Sequence, residues 1–290
     1  LIDKLLSDAT WQAKYKEISK AKMGKELAPK PIDKWVWDDF EAAALFFTKS
    51  LNADSPTEFG TVLQAKNLVY NTMIWGNVLY SKGGSWFTAD GKPNFDTKEF
   101  REATQLYADI IKLGATAPAS TTFEYAEANQ AFMNDQAAFM MQWNAAYGEL
   151  NGASSPITGK IGLAPIPGPK PSSYSHALGV ALNKNSKNKE AAGKWLTYLA
   201  SQAAMDTYAK SGGLPPAGKT LTEMGKTRPD FAATSEFLQK YGYTPSTGPD
   251  VFAILEILSK NLSANWAGQK DADSAAKDSQ AQVVALLAKK

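Results

Sequence analysis

The chain has 290 residues, with 31 basic and 29 acidic side chains and a net charge of +2, a balance that argues against nucleic acid or an anionic membrane as an electrostatic partner. It has no cysteine and a single histidine, His176. This excludes disulfides, thiolate nucleophiles, Cys-type zinc sites and multi-histidine metal sites.

No apolar run approaches the roughly 18 residues needed to span a bilayer. The length fits one large domain or two of ordinary size. All basic residues but Arg101 and Arg228 are lysines. Carboxylate and phosphate ligands are usually clamped by bidentate arginine. A ligand site here is therefore read as holding a neutral molecule, although helix N-termini also bind anions. The chain starts at Leu1 rather than Met and shows no signal peptide, which reads as a processed or truncated start.

In chain order, residues 3–22 read as helix and 24–31 as a loop. Trp35-Val36-Trp37 leads into a helix over about 38–49, with Phe40, Ala43, Ala44 and Phe47 on one face. Asp38 and Asp39 sit in its first turn, where the helix dipole favours acids. Residues 58–65 read as a buried strand. A helix over about 68–82 stops at Gly83-Gly84, and residues 89–93 form a hairpin-type turn between short strands. Asp96 and Glu99 have capping-box spacing, and the helix beyond runs to Gly114. Strands are expected over 137–142, 160–165 and 176–183, with prolines 165, 167, 169 and 171 breaking the chain between the last two. Helices are expected over 188–199, 201–211, 251–266 and 273–289. Short strands spaced among many helices make this an α/β chain. The stiff proline stretch reads as a crossing between lobes.

Residues 121–144 carry the sharpest functional signal: a short acidic helix, a turn, a buried strand and Trp143 at the strand end. An indole at a cleft edge suits a sugar, because the C–H-rich ring face stacks on it while hydroxyls bond polar neighbours. Trp143 filling a core is the equal alternative. Glu124 and Glu127 are the candidate carboxylates for glycoside hydrolysis, but at i, i+3 on a helix they are also an ordinary solvated pair. His176 could touch a ligand or simply make a structural hydrogen bond. Asp250 reads as a helix-start acid beside Pro249. Trp11, Trp35, Trp37, Trp195 and Trp266 are assigned to core or interface.

Several ordered segments carry a resemblance. Trp37-Asp38-Asp39-Phe40-Glu41-Ala42-Ala43 resembles a T-W-D-E-F-x-x-A helix start. Gly83-Gly84 precedes Ser85-Trp86-Phe87. Residues 132–140, FMNDQAAFM, resemble F-x-x-G-x-A-A-M, with Asp135 in place of the usual Gly. Residues 162–168, GLAPIPG, resemble G-x-x-P-x-P-G, and 179–192, GVALNKNSKNKEAA, resemble a return strand and helix. Their order over nearly the whole chain is similar to the extracellular solute-binding proteins of bacterial ABC importers, the family that includes maltose-binding protein.

That resemblance implies a two-lobed, periplasmic-binding-protein-like (type II) α/β fold with a hinge and an incomplete N-terminal lobe. Roughly 110–130 residues that the family carries before Leu1 are expected to be missing. It divides the chain into 1–174, the first segment of the C-terminal lobe; 175–227, the return segment of the N-terminal lobe; and 228–290, the closing helical segment. It implies ligand contacts at Trp143, Asn144, Trp75, Asn71, Tyr125, Trp86, Gly213, Leu214 and His176, with Phe252 opening a helix that borders the cleft. It implies capture of a neutral carbohydrate or polyol without chemistry and delivery to a membrane permease. A monomer is expected, with no cofactor or metal, placed in the periplasm or outside the cell, free or lipid-anchored. A carbohydrate-active hydrolase and a sugar-sensing receptor module are the alternatives.

Overall fold

A computed structural model of the chain describes residues 1–176, 178–216, 218–245 and 248–289. Its first helical stretch is two helices, α1 (Ile2–Ser7) and α2 (Ala9–Met23). The break falls at Asp8, whose carboxylate accepts from the backbone N–H groups of Thr10 and Trp11 at 2.9 and 3.1 Å. A side chain that caps new helix donors starts a helix rather than continuing one. Gly24, at φ 70°, closes α2.

Helix α3 (Trp37–Phe46) is almost wholly buried. Asp39 accepts from the N–H of Val36 at 2.9 Å, so this acid serves the helix start. Aromatic rings from α2, α3 and the following turn meet edge to face, with Trp11, Phe46 and Phe47 at centroid distances of 5.0–5.9 Å. Such contacts add to the burial of large apolar area. Strand β1 (Phe59–Val62) lies directly against α3. A Cβ at Gly60 would stand 1.7 Å from the Ala44 carbonyl oxygen, so only glycine lets the strand approach the helix backbone.

Helix α4 (Val69–Ser81) and α5 (Lys98–Lys112) follow. The hairpin between them is reduced to one antiparallel bridge, Phe87 to Pro93. Capping of α5 differs from the Asp96/Glu99 expectation. Thr97 is the N-cap, accepting from the N–H of Phe100 at 3.2 Å, and Asp96 instead pairs with Arg101. Helix α6 (Tyr125–Met133) leads to β2 (Ala137–Met140), which pairs parallel with β1 in the register Phe59–Ala137, Thr61–Phe139, Val62–Met140. A short helix α7 (Ala146–Leu150) follows Trp143.

The strands expected over 160–165 and 176–183 are absent among the described residues, and Ala177 lies outside them. The prolines remove ladder donors, and Leu178 and Val180 are 90% and 65% exposed with no neighbour to pair. The chain is ordered there instead by β3 (Ser173–Tyr174), which pairs parallel with β4 (Gly242–Tyr243).

Between those two strands come α8 (Lys189–Leu199), α9 (Gln202–Lys210), α10 (Gly218–Gly225) and α11 (Pro229–Tyr241). Helix α8 buries no residue. Trp195, expected in a core or interface, is 56% exposed, whereas Trp11, Trp35, Trp37 and Trp266 are buried. Helices α12 (Val251–Trp266) and α13 (Ala272–Leu287) return to pack on α4 and α5.

Asn77 ties the crossing to α4. Asn77 Oδ1 accepts from the N–H of Tyr174 at 2.8 Å, its Nδ2 donates to the Ile74 carbonyl, and its own carbonyl accepts from Ser172 Oγ at 2.8 Å. Asn77→Ala should lower stability to urea by about 1–3 kcal/mol, the cost of leaving a part-buried donor unpaired. Asn77→Asp, which keeps the acceptor, should recover most of it. Equal losses in the two variants would show that the bond to Tyr174 does not hold the crossing.

The Glu41 carboxyl is pushed up to about 7, chiefly by burial and then by the Asp109 and Asp38 carboxylates. Its folded value lies above its unfolded one, so the folded state holds the proton more tightly. The stabilisation is complete below the ordinary carboxylate range and is lost as pH rises through about 7. The melting temperature should therefore fall from pH 5 to pH 8, and Glu41→Gln should flatten that slope. An unchanged slope in the variant would assign it elsewhere.

Candidate functional site

Strand β2 ends at Met140, and three residues later the chain delivers Trp143 to the rim of a cavity of about 360 Å³. One wall is built from the β2 end, with Phe139, Met140, Trp143 and Asn144. The facing wall comes from the extended stretch 161–167 and from Ala233, Thr234 and Phe237 of α11. Tyr174 of β3 and His176 just beyond it also line the cavity. The cavity therefore forms where the chain crosses out of the first body of helices and comes back.

Aromatic rings line this side. Trp143 meets Tyr174 edge to face at 5.9 Å and lies 6.4 Å from the His176 ring; Tyr174 and His176 are near parallel at 6.0 Å. Tyr174 continues to Tyr243 at 5.6 Å, and Tyr243 stacks on Tyr80 of α4 at 3.9 Å. Burial pushes the hydroxyls of Tyr80, Tyr174 and Tyr243 up, so all three stay protonated near neutral pH and can donate hydrogen bonds. Tyr147, also on the cavity, is shifted the same way by burial and by Asp230.

Among the described residues, no lysine or arginine lines the cavity. The acid that does, Asp230, is held bidentately by Arg228 at 2.8 and 2.6 Å, and the Arg228 guanidinium lies over the Phe231 ring at 4.4 Å. The pair neutralises itself at the start of α11, and the described lining offers no lysine or arginine to clamp an anion. The chemistry offered is apolar faces and neutral hydrogen-bonding groups. No cluster of side chains able to hold a metal occurs among the described residues.

Of the residues expected at the site, Trp143, Asn144, His176 and Leu214 line the cavity. The other five stand elsewhere. Trp75 is fully buried, donating from Nε1 to the Ala103 carbonyl at 3.0 Å and packing on Phe100; α4 turns that face into the core. Asn71 shares the face and ties two loops, donating to the carbonyls of Lys66 and Phe123 at 3.1 and 3.0 Å. Trp86 is fully buried against Gly76. Tyr125 opens α6 and does not line the cavity. At Gly213 the close approach is to the Tyr208 ring, 2.2 Å from where a Cβ would stand. Phe252 is 55% exposed at the start of α12 and does not line the cavity.

Sequence reading missed Tyr174, Asn77, Tyr147 and Asp230. Tyr174 follows directly on the proline stretch, a position that could have marked it. Nothing in the spacing of Asn77 or Asp230 points to a cavity beside Trp143, since only the return of α11 and the packing of β3 on α4 bring them there.

Residues 8–206 match the profile of the family described as bacterial extracellular solute-binding protein. A Deinococcus radiodurans protein named "Probable ABC transporter-binding protein" is 29% identical over 207 residues, 69% of this chain and 47% of that one. A Sinorhizobium fredii protein named "Probable amino-acid ABC transporter periplasmic-binding protein" is 26% identical over 239 residues, 81% of this chain and 52% of that one. The chain thus spans about half the length of these two relatives.

Among solved structures, maltose-bound MalE3 of T. maritima superposes with a TM-score of 0.79 at 23% identity, covering 94% of this chain and 69% of that one. A solute-binding protein of Agrobacterium radiobacter K84 in complex with ribitol gives 0.75 at 21% identity, covering 93% and 67%. The fold is the type II periplasmic-binding-protein fold expected from the sequence. With more than half of its length matched by the profile, the chain belongs to the bacterial extracellular solute-binding protein family.

Proposed function

We propose that this chain is the solute-binding component of an ABC importer, and that it takes a neutral carbohydrate or polyol in the cavity beside Trp143. The observation that carries this reading is the lining: the Trp143 indole among several further aromatic rings, with protonated tyrosine hydroxyls and no lysine or arginine among the described residues. Stacking surfaces and neutral hydrogen-bonding groups suit a sugar. An amino acid ligand would ask for a cation against its carboxylate, and the nearest, Arg228, is already engaged by Asp230. Maltose and ribitol in the two superposed proteins support the same class.

The reading includes no chemistry. Glu124 and Glu127 do not form a poised carboxylate pair: Glu127 accepts from the N–H of Glu124 at 3.0 Å and Glu124 pairs with Lys66. The proposal extends to partner and place: a membrane permease receives the ligand, and the protein works in the periplasm or outside the cell, free or lipid-anchored. Among the described residues no helix is long and apolar enough to cross a membrane.

The lobe division is likewise proposed as 1–174, 175–227 and 228–290. In its support, α12 and α13 pack on α4 and α5, while α8 buries nothing and presents Trp195 and Tyr198 at 56% and 54% exposure. Ligand capture would close the lobes about the β3–β4 crossing.

A thermal-shift screen of maltose, ribitol, mannitol and a set of amino acids tests the reading, because a ligand of the native state raises the melting temperature by mass action. We expect a rise with a carbohydrate or polyol that Trp143→Ala abolishes. A rise with amino acids alone, or one that survives Trp143→Ala, would overturn the assignment of ligand class or of site.

A further inference from the structure

Behind Trp143 runs a chain of side-chain amides that nothing above has used. Gln142 Oε1 accepts from the backbone N–H of Trp143 at 2.8 Å and from Gln64 Nε2 at 3.1 Å. Gln142 Nε2 donates to Asn129 Oδ1 at 2.7 Å, and Asn129 Nδ2 donates to Glu149 Oε2 at 2.9 Å. Asn129 is fully buried and Gln64 nearly so, while Glu149 is exposed. The chain joins β1's continuation, α6, the β2 end and α7, four separate parts of the sequence.

We propose that this is a directional relay that positions the Trp143 ring for its ligand, with Glu149 setting the direction. The physical reason lies in the amides. An amide can present either its oxygen or its nitrogen to a neighbour, and the two ends occupy nearly the same volume. An ionised carboxylate can only accept. Glu149 therefore draws Nδ2 of Asn129 toward itself, which turns Oδ1 toward Gln142. Gln142 must then offer Nε2 to Asn129, and its oxygen is left facing the N–H of Trp143. Beyond Met140 that N–H has no strand partner among the described residues. Reversing one amide sets donor against donor along the line. One surface charge thus biases the orientation of the buried Asn129 amide and the half-buried Gln142 amide, and with them the backbone that carries the indole. Asn129, Gln142 and Glu149 are positioning residues; none of the three needs to touch the ligand.

This inference rests on the reading that Trp143 carries the ligand, and the test separates the two. The protein is labelled with 5-fluorotryptophan, and the Trp143 resonance is identified by its loss in Trp143→Phe. Its line is followed without ligand, alongside the melting temperature and the affinity for maltose and for mannitol. Asn129→Asp places a second carboxylate against Glu149, and should shift the Trp143 line and weaken binding of the sugar that binds by about tenfold, the scale of one buried bond left unmade. Adding Glu149→Gln to it moves the single charge to the other end of that bond, and should return both the line and the affinity to near wild type.

Glu149→Gln alone removes the orienting charge from an exposed position where folding is secure, and should broaden or split the line as both amide orientations become populated. It also decides the matter if Asn129→Asp does not fold. A Trp143 line unmoved in Glu149→Gln, or a double variant no nearer wild type than Asn129→Asp, would overturn the relay, as would a fall in melting temperature with the line unchanged. Lines that respond as expected while neither sugar binds would uphold the relay and count against the ligand reading.

Discussion

Thr61 of β1 lies opposite Phe139 of β2, and the position of the site is measured from that register. The pair is parallel, so β2 runs in the direction of β1 and delivers its C-terminal end to the same edge of the fold. A slip of one residue would exchange the faces of β2 and turn Phe139 away from the rings of Trp35, Phe40 and Phe47, which it meets at 5.2–6.3 Å. The buried face of the strand thus anchors the register, and the register places Trp143. Gly60 belongs to the same constraint, because β1 can stand where it does only by touching the backbone of α3.

From that anchor the site is built by elements distant in sequence. Asn77 on α4 receives Tyr174, and Tyr80 one turn later receives Tyr243. The crossing strands β3 and β4 are only two residues long, too short to hold by ladder bonds alone. Their position relative to α4 comes from this side-chain clamp and from ring stacking. Such a joint has few bonds to rearrange, which fits a place where two lobes turn about each other. The cavity forms beside it, between a wall fixed by the core and a wall carried on α11.

The electrostatics of the cavity follow from the same economy of charge. The chain has two arginines, and both are engaged: Arg101 with Asp96 and Asp273, Arg228 with Asp230. What remains on the described lining is aliphatic and aromatic side chains with amides, hydroxyls and His176. Affinity there would come from stacking and from hydroxyl hydrogen bonds in a partly desolvated space, where such bonds gain most from being fully made.

Much of this was legible in the sequence. Apolar spacing gave α3, α5, α12 and α13, glycines closed α2, α4 and α5, and the strand-then-Trp pattern put Trp143 at a rim, because these signals act over a few residues. The order of motifs gave the family. What spacing could not decide was which side chains face inward. Trp75 and Asn71 share a helical face, yet that face turns to the core because α5 packs on it. Residues 160–165 and 176–183 have strand-like composition, yet a strand exists only where a neighbouring backbone supplies partners, and none pairs with them among the described residues. Local propensity and capping are properties of the sequence itself; burial, strand pairing and the meeting of Trp143 with Tyr174, His176 and α11 were decided only by tertiary packing, since each depends on surface contributed by segments tens of residues away.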